Sequence, residues 1–347
     1  MLYDGCMKKL VVIAILIVGL SGCQNNRSKR YERISAEYFD TVTAFIAYCS
    51  SEAEFTKEYA FFAERMKYYH QLFDIYNQYS GVVNLAYLNE KASTGSIEIS
   101  DDLKDFLVFG KTAYYRSNGK VNIGLGAVLQ LWHSYRESGN QNPTLAQLPS
   151  MNSLSEANQH TDIENLVITE NSVYYSDSEF SLDVGALAKG YAVEMVAKEL
   201  VAKGYDNFLI SAGGNVKASG QRGDGQDWVV GVQNPQIVSE GYVILKLAIA
   251  DLAVVTSGDY QRFYQVEGVN YGHIIDPATL LPPRHYHSVT VVSKSSQEAE
   301  FLSTYLFILP IDEALAYVNN QMDIEACFVL EDYSLVMSEG FNAYIIK

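Results

Sequence analysis

The stretch Ser181-Leu182-Asp183-Val184-Gly185-Ala186-Leu187-Ala188-Lys189-Gly190-Tyr191 decides how this chain is organised. Apolar and polar residues alternate up to Val184, which predicts a strand over residues 180–184. Apolar residues then recur at helical spacing as far as Gly204, which is placed to end a helix. The sequence therefore predicts a strand that leads Asp183 into a turn, followed at once by a helix that carries Lys189.

The residue types in this turn suit a nucleoside diphosphate. Small residues let a ligand approach the backbone, and the start of a helix favours anions. Lys189 adds a positive charge, and the Asp183 carboxylate can hold a cation or a ligand N–H group. The same residues also suit a plain structural role, with Asp183 capping the helix and Lys189 in solvent.

Length and composition indicate a globular protein with a substantial core. The chain has 347 residues, of which 48% are hydrophobic and 19% are charged, enough for one large or two modest domains. Its formal net charge is −16, and no cluster of Lys and Arg is present. Since neutralisation of phosphates needs such a cluster, nucleic acid is not expected as a partner.

The first residues have the pattern of a bacterial lipoprotein signal. A basic start at Met7 is followed by an apolar run, 10–20, that is too short to cross a bilayer of about 30 Å as a helix. The run ends in Leu20-Ser21-Gly22-Cys23, which resembles a lipobox and predicts cleavage before a lipidated Cys23. We therefore expect a signal peptide over 1–22 with a true start at Met7, a tether over 23–35 and one domain over 36–347, anchored by lipid to the extracytoplasmic face of the bacterial membrane.

The remaining cysteines and histidines do not form a metal or redox motif. Cys49 and Cys327 stand outside the signal segment with no C-x-x-C spacing, and the sequence leaves open whether they pair or stay free. No H-E-x-x-H pattern of a zinc hydrolase is present.

The rest of the chain predicts an α+β fold. Helices are expected over 54–78, from Ser100 to Gly119, through Trp132 and over 297–309, and residues 137–162 are expected to be a surface excursion. The expected strands are 39–48, 121–127, 166–168, 173–175, 207–211, 228–232, 242–249, 252–255, 271–275 and 288–292. Because helices interleave irregularly with hairpin-like strand pairs, α+β fits better than a doubly wound parallel sheet.

Several of these predicted strands end in small or polar residues. This occurs at 124–127, 183–189, 211–215, 256–259 and 273–277. Five turns of the same kind predict one cleft if the fold brings them together.

These turns resemble the motifs of the ApbE family, the FAD:protein FMN transferases. The resemblance rests on 182–191 together with Ser211-Ala212-Gly213-Gly214-Asn215, Thr256-Ser257-Gly258-Asp259-Tyr260 and Tyr271-Gly272-His273-Ile274-Ile275-Asp276-Pro277. It extends from Phe39 to the last strands, with the motifs in family order. It implies a single ApbE-like, T-fold-related domain with mixed or antiparallel sheets and flanking helices.

The resemblance also implies an activity, which is Mg²⁺-dependent transfer of FMN from FAD to a Thr or Ser hydroxyl of an acceptor redox protein, with release of AMP. The acceptor would carry a Thr-containing flavinylation motif. Asp183 and His273 are the implied catalytic residues, and His273 is the candidate general base. The implied FAD contacts are Phe39, Tyr76, Gly126, Ala127, Val128, Asp183, Lys189 and Ile274. The implied Mg²⁺ ligands are the Ala186 carbonyl, Glu300 and Thr304.

Two positions depart from the family pattern. Glu300 stands where the family usually has Asp, and its extra methylene puts the metal coordination in doubt. Leu280 stands where the family commonly has Gly, so a turn that needs a positive φ would be strained and the loop is expected to differ. Two alternatives therefore stay open, an FAD pyrophosphatase that gives FMN and AMP, and a non-catalytic flavin-binding lipoprotein.

Overall fold

A computed structural model describes residues 28–236, 242–260 and 262–346. The described helices are α1 Glu52–Phe73, α2 Leu85–Lys91, α3 Asp101–Arg116, α4 Gly126–Gln141, α5 Met151–Ala157, α6 Ala188–Ala202, α7 Ser296–Ile308 and α8 Ile311–Asn319. The strands are β1 Lys29–Tyr38, β2 Thr41–Cys49, β3 Ile97–Glu98, β4 Leu166–Ile168, β5 Ser172–Tyr175, β6 Phe208–Ala212, β7 Asn215–Ser219, β8 Trp228–Gln233, β9 Val243–Ile249, β10 Ala253–Gly258, β11 Phe263–Val266, β12 Val269–Gly272, β13 Tyr286–Ser293, β14 Ile324–Leu330 and β15 Leu335–Met337.

An antiparallel sheet of eight strands forms the centre of the molecule, in the order β1-β2-β6-β7-β10-β13-β14-β15. Smaller sheets are formed by β3-β5-β4, β8-β9 and β11-β12. The predicted α+β class and the hairpin of β4 with β5 are confirmed. Among the described residues, no helix is both long enough and apolar enough to cross a membrane.

Both faces of the central sheet are buried. In β2, Phe45 belongs to the main core under α1, α6 and α7, while its neighbour Ile46 belongs to a second cluster with Trp228 and Leu247 of the β8-β9 ribbon. Successive side chains of a strand point to opposite faces, so the apolar runs of these strands supply both cores. The main core includes residues from Tyr38 to Phe328, so these elements make one domain.

A third apolar cluster lies apart from the two sheet cores. Trp132 of α4 packs there with Tyr264 of β11 and with the buried Leu280, and its indole N–H donates to the Leu280 carbonyl at 3.0 Å. This cluster holds the β11-β12 hairpin and the chain after it against α4. It thereby fixes the segment that carries His273.

Two predicted strands are wrong. Residues 180–184 are extended but belong to no sheet, because their backbone bonds to neighbouring irregular segments: the Leu182 N–H donates to the Asn89 side chain, and the Asp183 N–H donates to the Ile123 carbonyl. Residues 121–125 likewise form turns that lead into α4. Alternating polarity arises here from partial burial and not from strand pairing.

The chain after the signal segment also differs from the prediction. Residues 29–38 form β1, which pairs with β2, so the second part of the expected tether over 23–35 is an edge strand. The expected signal peptide, the start at Met7 and Cys23 lie outside the described residues. Cys49 and Cys327 are both free and buried, in the main core and the second cluster respectively.

Helix α6 ends as the sequence predicts. Gly204 has a φ of 82°, its N–H donates to Val201, and the Tyr205 N–H donates to Leu200. These two bonds make a Schellman motif, which satisfies the last carbonyls of the helix. Glycine has no Cβ atom, so it adopts this positive φ without steric cost.

Candidate active site

The turn before α6 is built on Asp183. Its carboxylate accepts the Gly185 N–H at 2.9 Å, which tightens the turn. The Gly126 N–H donates to the Ser181 carbonyl at 3.2 Å, and a Cβ atom on Gly126 would lie only 2.4 Å from that oxygen. Glycine at 126 therefore lets the start of α4 lie directly against the segment that carries Asp183.

Charged groups from distant parts of the chain face Asp183. Burial raises the pKa of the Asp183 carboxyl, while His133, Arg136 and Arg262 favour its ionised form. Burial and the neighbouring Arg262 lower the pKa of Arg136. Two guanidinium groups close enough to repel each other can together bind a polyanion, such as a pyrophosphate.

Sequence reasoning did not single out His133, Arg136 or Arg262. The Arg136 Nη2 atom lies 2.8 Å from His133 Nδ1, so the i, i+3 spacing on α4 places both on one face. Arg262 follows the Thr-Ser-Gly-Asp-Tyr turn by two residues. That charge pattern was visible in the sequence, but only the fold shows that the two arginines meet.

His273 follows β12, and its imidazole lies close enough to the same two arginines to feel their charge. Burial first, and then the charges of Arg262 and Arg136, lower the pKa of its imidazole to about 3, so the ring is neutral near pH 7. The backbone of Arg262 is a hydrogen-bond partner of the ring. Its Nδ1 atom is buried and has no hydrogen-bond partner within the described parts of the chain. The ring is thus held by the Arg262 backbone, while its buried Nδ1 atom is left without a partner among the described residues.

Lys189 and Glu300 meet where α6 crosses α7. The Lys189 ammonium lies 3.1 and 3.4 Å from the two carboxylate oxygens of Glu300, and Asn215 Nδ2 donates to Glu300 Oε2. Asn215 is placed by the β6-β7 hairpin, in which Gly213 and Gly214 have φ values of 50° and 94°. Burial raises the pKa of the Glu300 carboxyl, and Lys189 opposes that effect.

The residues expected to bind Mg²⁺ offer a suitable set of oxygen atoms. Glu300 and Thr304 are both buried and lie one turn apart on α7, and Ala186 precedes α6 in the adjoining turn. The Oδ1 atom of the neighbouring Asn215 is buried and unpartnered among the described residues. Carboxylate, hydroxyl and carbonyl oxygens are the ligands that Mg²⁺ prefers, so the set fits the ion. No group of three or more His, Cys, Asp and Glu side chains that could hold a metal occurs in the described ranges.

The two aromatic residues expected to contact FAD each pack against a histidine. The Phe39 N–H donates to His70 Nδ1 at 3.2 Å, and Phe39 and Asp40 occupy the β1-β2 turn with φ values of 52° and 49°. Tyr76 is 63% exposed and its ring lies 5.6 Å from that of His133. The Tyr76 ring therefore lies next to the face of α4 that carries His133 and Arg136.

The remaining residues expected to contact FAD lie on the first turn of α4 and beside His273. Gly126, Ala127 and Val128 form the first turn of α4, whose N-terminus has no side-chain cap. The Val128 side chain is fully buried in the third cluster, so only its backbone is available. Ile274 is half-buried and packs against the main core, next to His273.

Comparison with known proteins identifies the class of fold and then the family. The crystal structure of the ApbE protein from Thermotoga maritima matches 92% of this chain and 100% of its own, with a TM-score of 0.80 and 25% identity. The flavin transferase ApbE from Vibrio cholerae matches 91% of this chain and 99% of its own, with a TM-score of 0.77 and 22% identity, which supports the fold.

The model of the ApbE family matches residues 33–328. The chain therefore belongs to the ApbE family, as its motifs predict. Its curated relatives are enzymes named FAD:protein FMN transferase. The one from Treponema pallidum is 29% identical over 74% of this chain and 73% of its own length, and the one from Escherichia coli strain K12 is 27% identical over 72% and 70%.

Proposed function

We propose that this protein transfers FMN from FAD to a Thr or Ser hydroxyl of an acceptor redox protein and releases AMP. The observation that carries the proposal is the neutral imidazole of His273, whose Nδ1 has no partner among the described residues, close to the charges of Arg136, Arg262 and Lys189. Such a site offers a base for a hydroxyl and positive charge for a diphosphate.

The chemistry requires one bond to form and one to break. The acceptor hydroxyl oxygen attacks the phosphorus atom of the FMN half, and the bond from that phosphorus to the bridging oxygen breaks, so that AMP leaves. His273 accepts the hydroxyl proton, and the negative charge of the diphosphate offsets the arginine charges that hold the imidazole pKa low. Arg136 and Arg262 stabilise the charge on the phosphoryl oxygens, and the helix N-terminus beside Lys189 adds to this.

Ala186, Glu300 and Thr304 would hold Mg²⁺, which supplies Lewis-acid stabilisation of a phosphoryl oxygen when bound. Phe39 and Tyr76 offer aromatic surface for the flavin or the adenine. Asp183 lies among cationic groups and orients them toward the diphosphate.

The deciding experiment measures the intact mass of an acceptor domain after incubation with FAD and Mg²⁺. Wild type, Glu300→Asp and His273→Gln are compared with a transferase of established activity. We expect wild type to add one FMN and His273→Gln to add almost none in the same incubation time. If only Glu300→Asp transfers FMN, the natural chain is a binder or an impaired enzyme. AMP release that needs no acceptor would instead identify an FAD pyrophosphatase, in which water replaces the acceptor hydroxyl.

We also propose that Cys23 carries a lipid and that the enzyme acts at the extracytoplasmic face of the membrane. The lipobox-like Leu20-Ser21-Gly22-Cys23 supports this. Because β1 begins at Lys29, the domain would be held close to the anchor. Radiolabelled palmitate should be incorporated into wild type and not into Cys23→Ser, and label in both proteins would contradict the proposal.

A further inference from the structure

Within the described residues, the Lys189 ammonium forms an ion pair with the Glu300 carboxylate. The side chains of Lys189 and Glu300 are 20% and 8% exposed, and the shorter of their contacts is 3.1 Å. Glu300 also accepts a hydrogen bond from Asn215. A carboxylate removed from water needs such partners, because its desolvation is otherwise costly. Without a ligand, the expected metal ligand is therefore already neutralised by the protein.

A divalent cation and the Lys189 ammonium compete for this carboxylate. A doubly charged ion bound to Glu300 would lie beside a lysine that is itself within hydrogen-bonding distance of the same oxygens. Like charges at such separations repel by several kcal/mol at the dielectric constants typical of a partly buried site. Metal binding at Glu300 is therefore opposed as long as Lys189 stays where it is.

The Lys189 ammonium can also interact with a ligand in the site proposed for the diphosphate. Lys189 lies on the first turn of α6, and its charge acts on His273 together with those of Arg136 and Arg262, so it borders the cleft proposed for the diphosphate. Its stem has four flexible carbons, which let the ammonium move without a change in the helix. A pyrophosphate in the cleft would attract it away from Glu300.

We propose that Lys189 is an internal counter-ion that couples the two ligands: a bound diphosphate draws its ammonium away from Glu300 and so opens that carboxylate to a divalent cation. This rests on the proposed function, because it takes the cleft to be the FAD site. Such coupling is reciprocal, and couplings of this kind typically change affinity 5- to 150-fold. Lys189 thereby acts as a positioning residue for the metal.

The test measures Mn²⁺ affinity by electron paramagnetic resonance of the free ion, with and without FAD. Mn²⁺ takes the same oxygen ligands as Mg²⁺. Lys189→Met should bind Mn²⁺ about tenfold more tightly than wild type in the absence of FAD. Lys189→Arg, which keeps the charge, should bind as weakly as wild type. Lys198→Met removes the same charge from an exposed position of the same helix and should leave the affinity unchanged.

With FAD at one fixed concentration, the difference between wild type and Lys189→Met should largely disappear. FAD is used in large excess over both proteins and at saturation of each, so that chelation of Mn²⁺ by free FAD is the same in both samples. Equal Mn²⁺ affinity of wild type and Lys189→Met without FAD would overturn the proposal, and so would the absence of Mn²⁺ binding to either protein. Flavin fluorescence reports FAD binding separately. If wild type binds FAD but its Mn²⁺ affinity without FAD equals that of Lys189→Met, only this proposal is contradicted. If wild type does not bind FAD, the proposed function is contradicted.

Discussion

Gly190 of α6 lies directly against Glu300 of α7, and a Cβ atom added at residue 190 would be 2.4 Å from the Glu300 Cβ and 2.7 Å from the Ser296 carbonyl oxygen. The two helices can approach this closely only because residue 190 has no side chain. Their crossing sets the position of Lys189 relative to Glu300. The helix pair therefore determines the geometry of the proposed metal site as well as the packing of the core.

Gly190→Ala should separate the two helices. Alanine favours a helix over glycine by about 1 kcal/mol, but overpacking against backbone typically costs about 1–3 kcal/mol, so we expect a net loss of stability. The rate of FMN transfer should fall even at temperatures where the variant is fully folded, because Lys189 and Glu300 move apart. Thermal unfolding and the intact-mass assay measure the two effects. Gly95→Ala, where an added Cβ meets nothing within 4 Å, is the control; equal behaviour of the two variants would contradict the prediction.

His273 should remain unprotonated in the ligand-free protein well below its ordinary pKa. The pKa of about 3 results from burial and from Arg262 and Arg136, so no protonation of this ring is expected between pH 5 and 8. Heteronuclear NMR of the histidine rings, with the His273→Gln spectrum as the assignment, measures this directly. Titration of the ring near pH 6.5 would show that the arginines do not act on it.

Loss of the His273 base should affect turnover and not FAD binding. General-base contributions are typically 10²–10⁴-fold, and we expect His273→Gln to lose roughly this much transfer rate. Its FAD affinity, measured by flavin fluorescence, should stay close to that of wild type. A variant that loses FAD binding and turnover together would indicate that His273 only shapes the pocket.

Glu58 of α1 should make stability depend on pH. Burial raises the pKa of this carboxyl to about 7, and its Oε2 atom has no hydrogen-bond partner within the described residues. Because the folded state holds the proton more tightly than the unfolded chain, stability falls as pH rises from about 4.5 to about 7. The difference between these values corresponds to roughly 3 kcal/mol as an upper limit.

The substitution Glu58→Gln removes this cost. We expect it to raise the free energy of unfolding by roughly 1–3 kcal/mol at pH 8 and to have little effect at pH 4.5. Urea unfolding at both pH values measures the difference. Glu64→Gln, at an exposed position of the same helix, should change neither value. A benefit of Glu58→Gln that is equal at both pH values would contradict the assignment.

Substitutions of Leu280 should distinguish the cost of backbone strain from the gain of side-chain packing. Leu280 has a φ of 61°, so it adopts the left-handed conformation that glycine favours, as the prediction of a strained turn requires. Its side chain is buried in the third cluster, which offsets a backbone cost of roughly 1–2 kcal/mol. Both Leu280→Gly and Leu280→Ala lose the packing, but only alanine keeps the strain. Thermal unfolding should therefore show Leu280→Ala to be the less stable variant by about 1 kcal/mol, and the reverse order would show that no strain is present.

The sequence predicted correctly those features that depend only on residues close together in the chain. The Schellman end of α6 at Gly204, the N-cap of α3 at Ser100 and the β4-β5 hairpin all depend on neighbouring residues, and all were predicted. Local signals failed at 180–184 and 121–125, where alternating polarity looked like strands. Strand formation depends on a partner that lies elsewhere in the chain, and here no partner strand is present among the described residues.

The sequence by itself determined the family, because the motif turns around Asp183, Asn215, Asp259 and His273 retain their residues and their order. The tertiary structure alone decided that Arg136 and Arg262 face His273 and that Lys189 neutralises Glu300. The sequence states which side chains can carry a charge. The pKa of each side chain and its partner depend on burial and on groups far away along the chain, and these are fixed only when the helices and the sheet pack together.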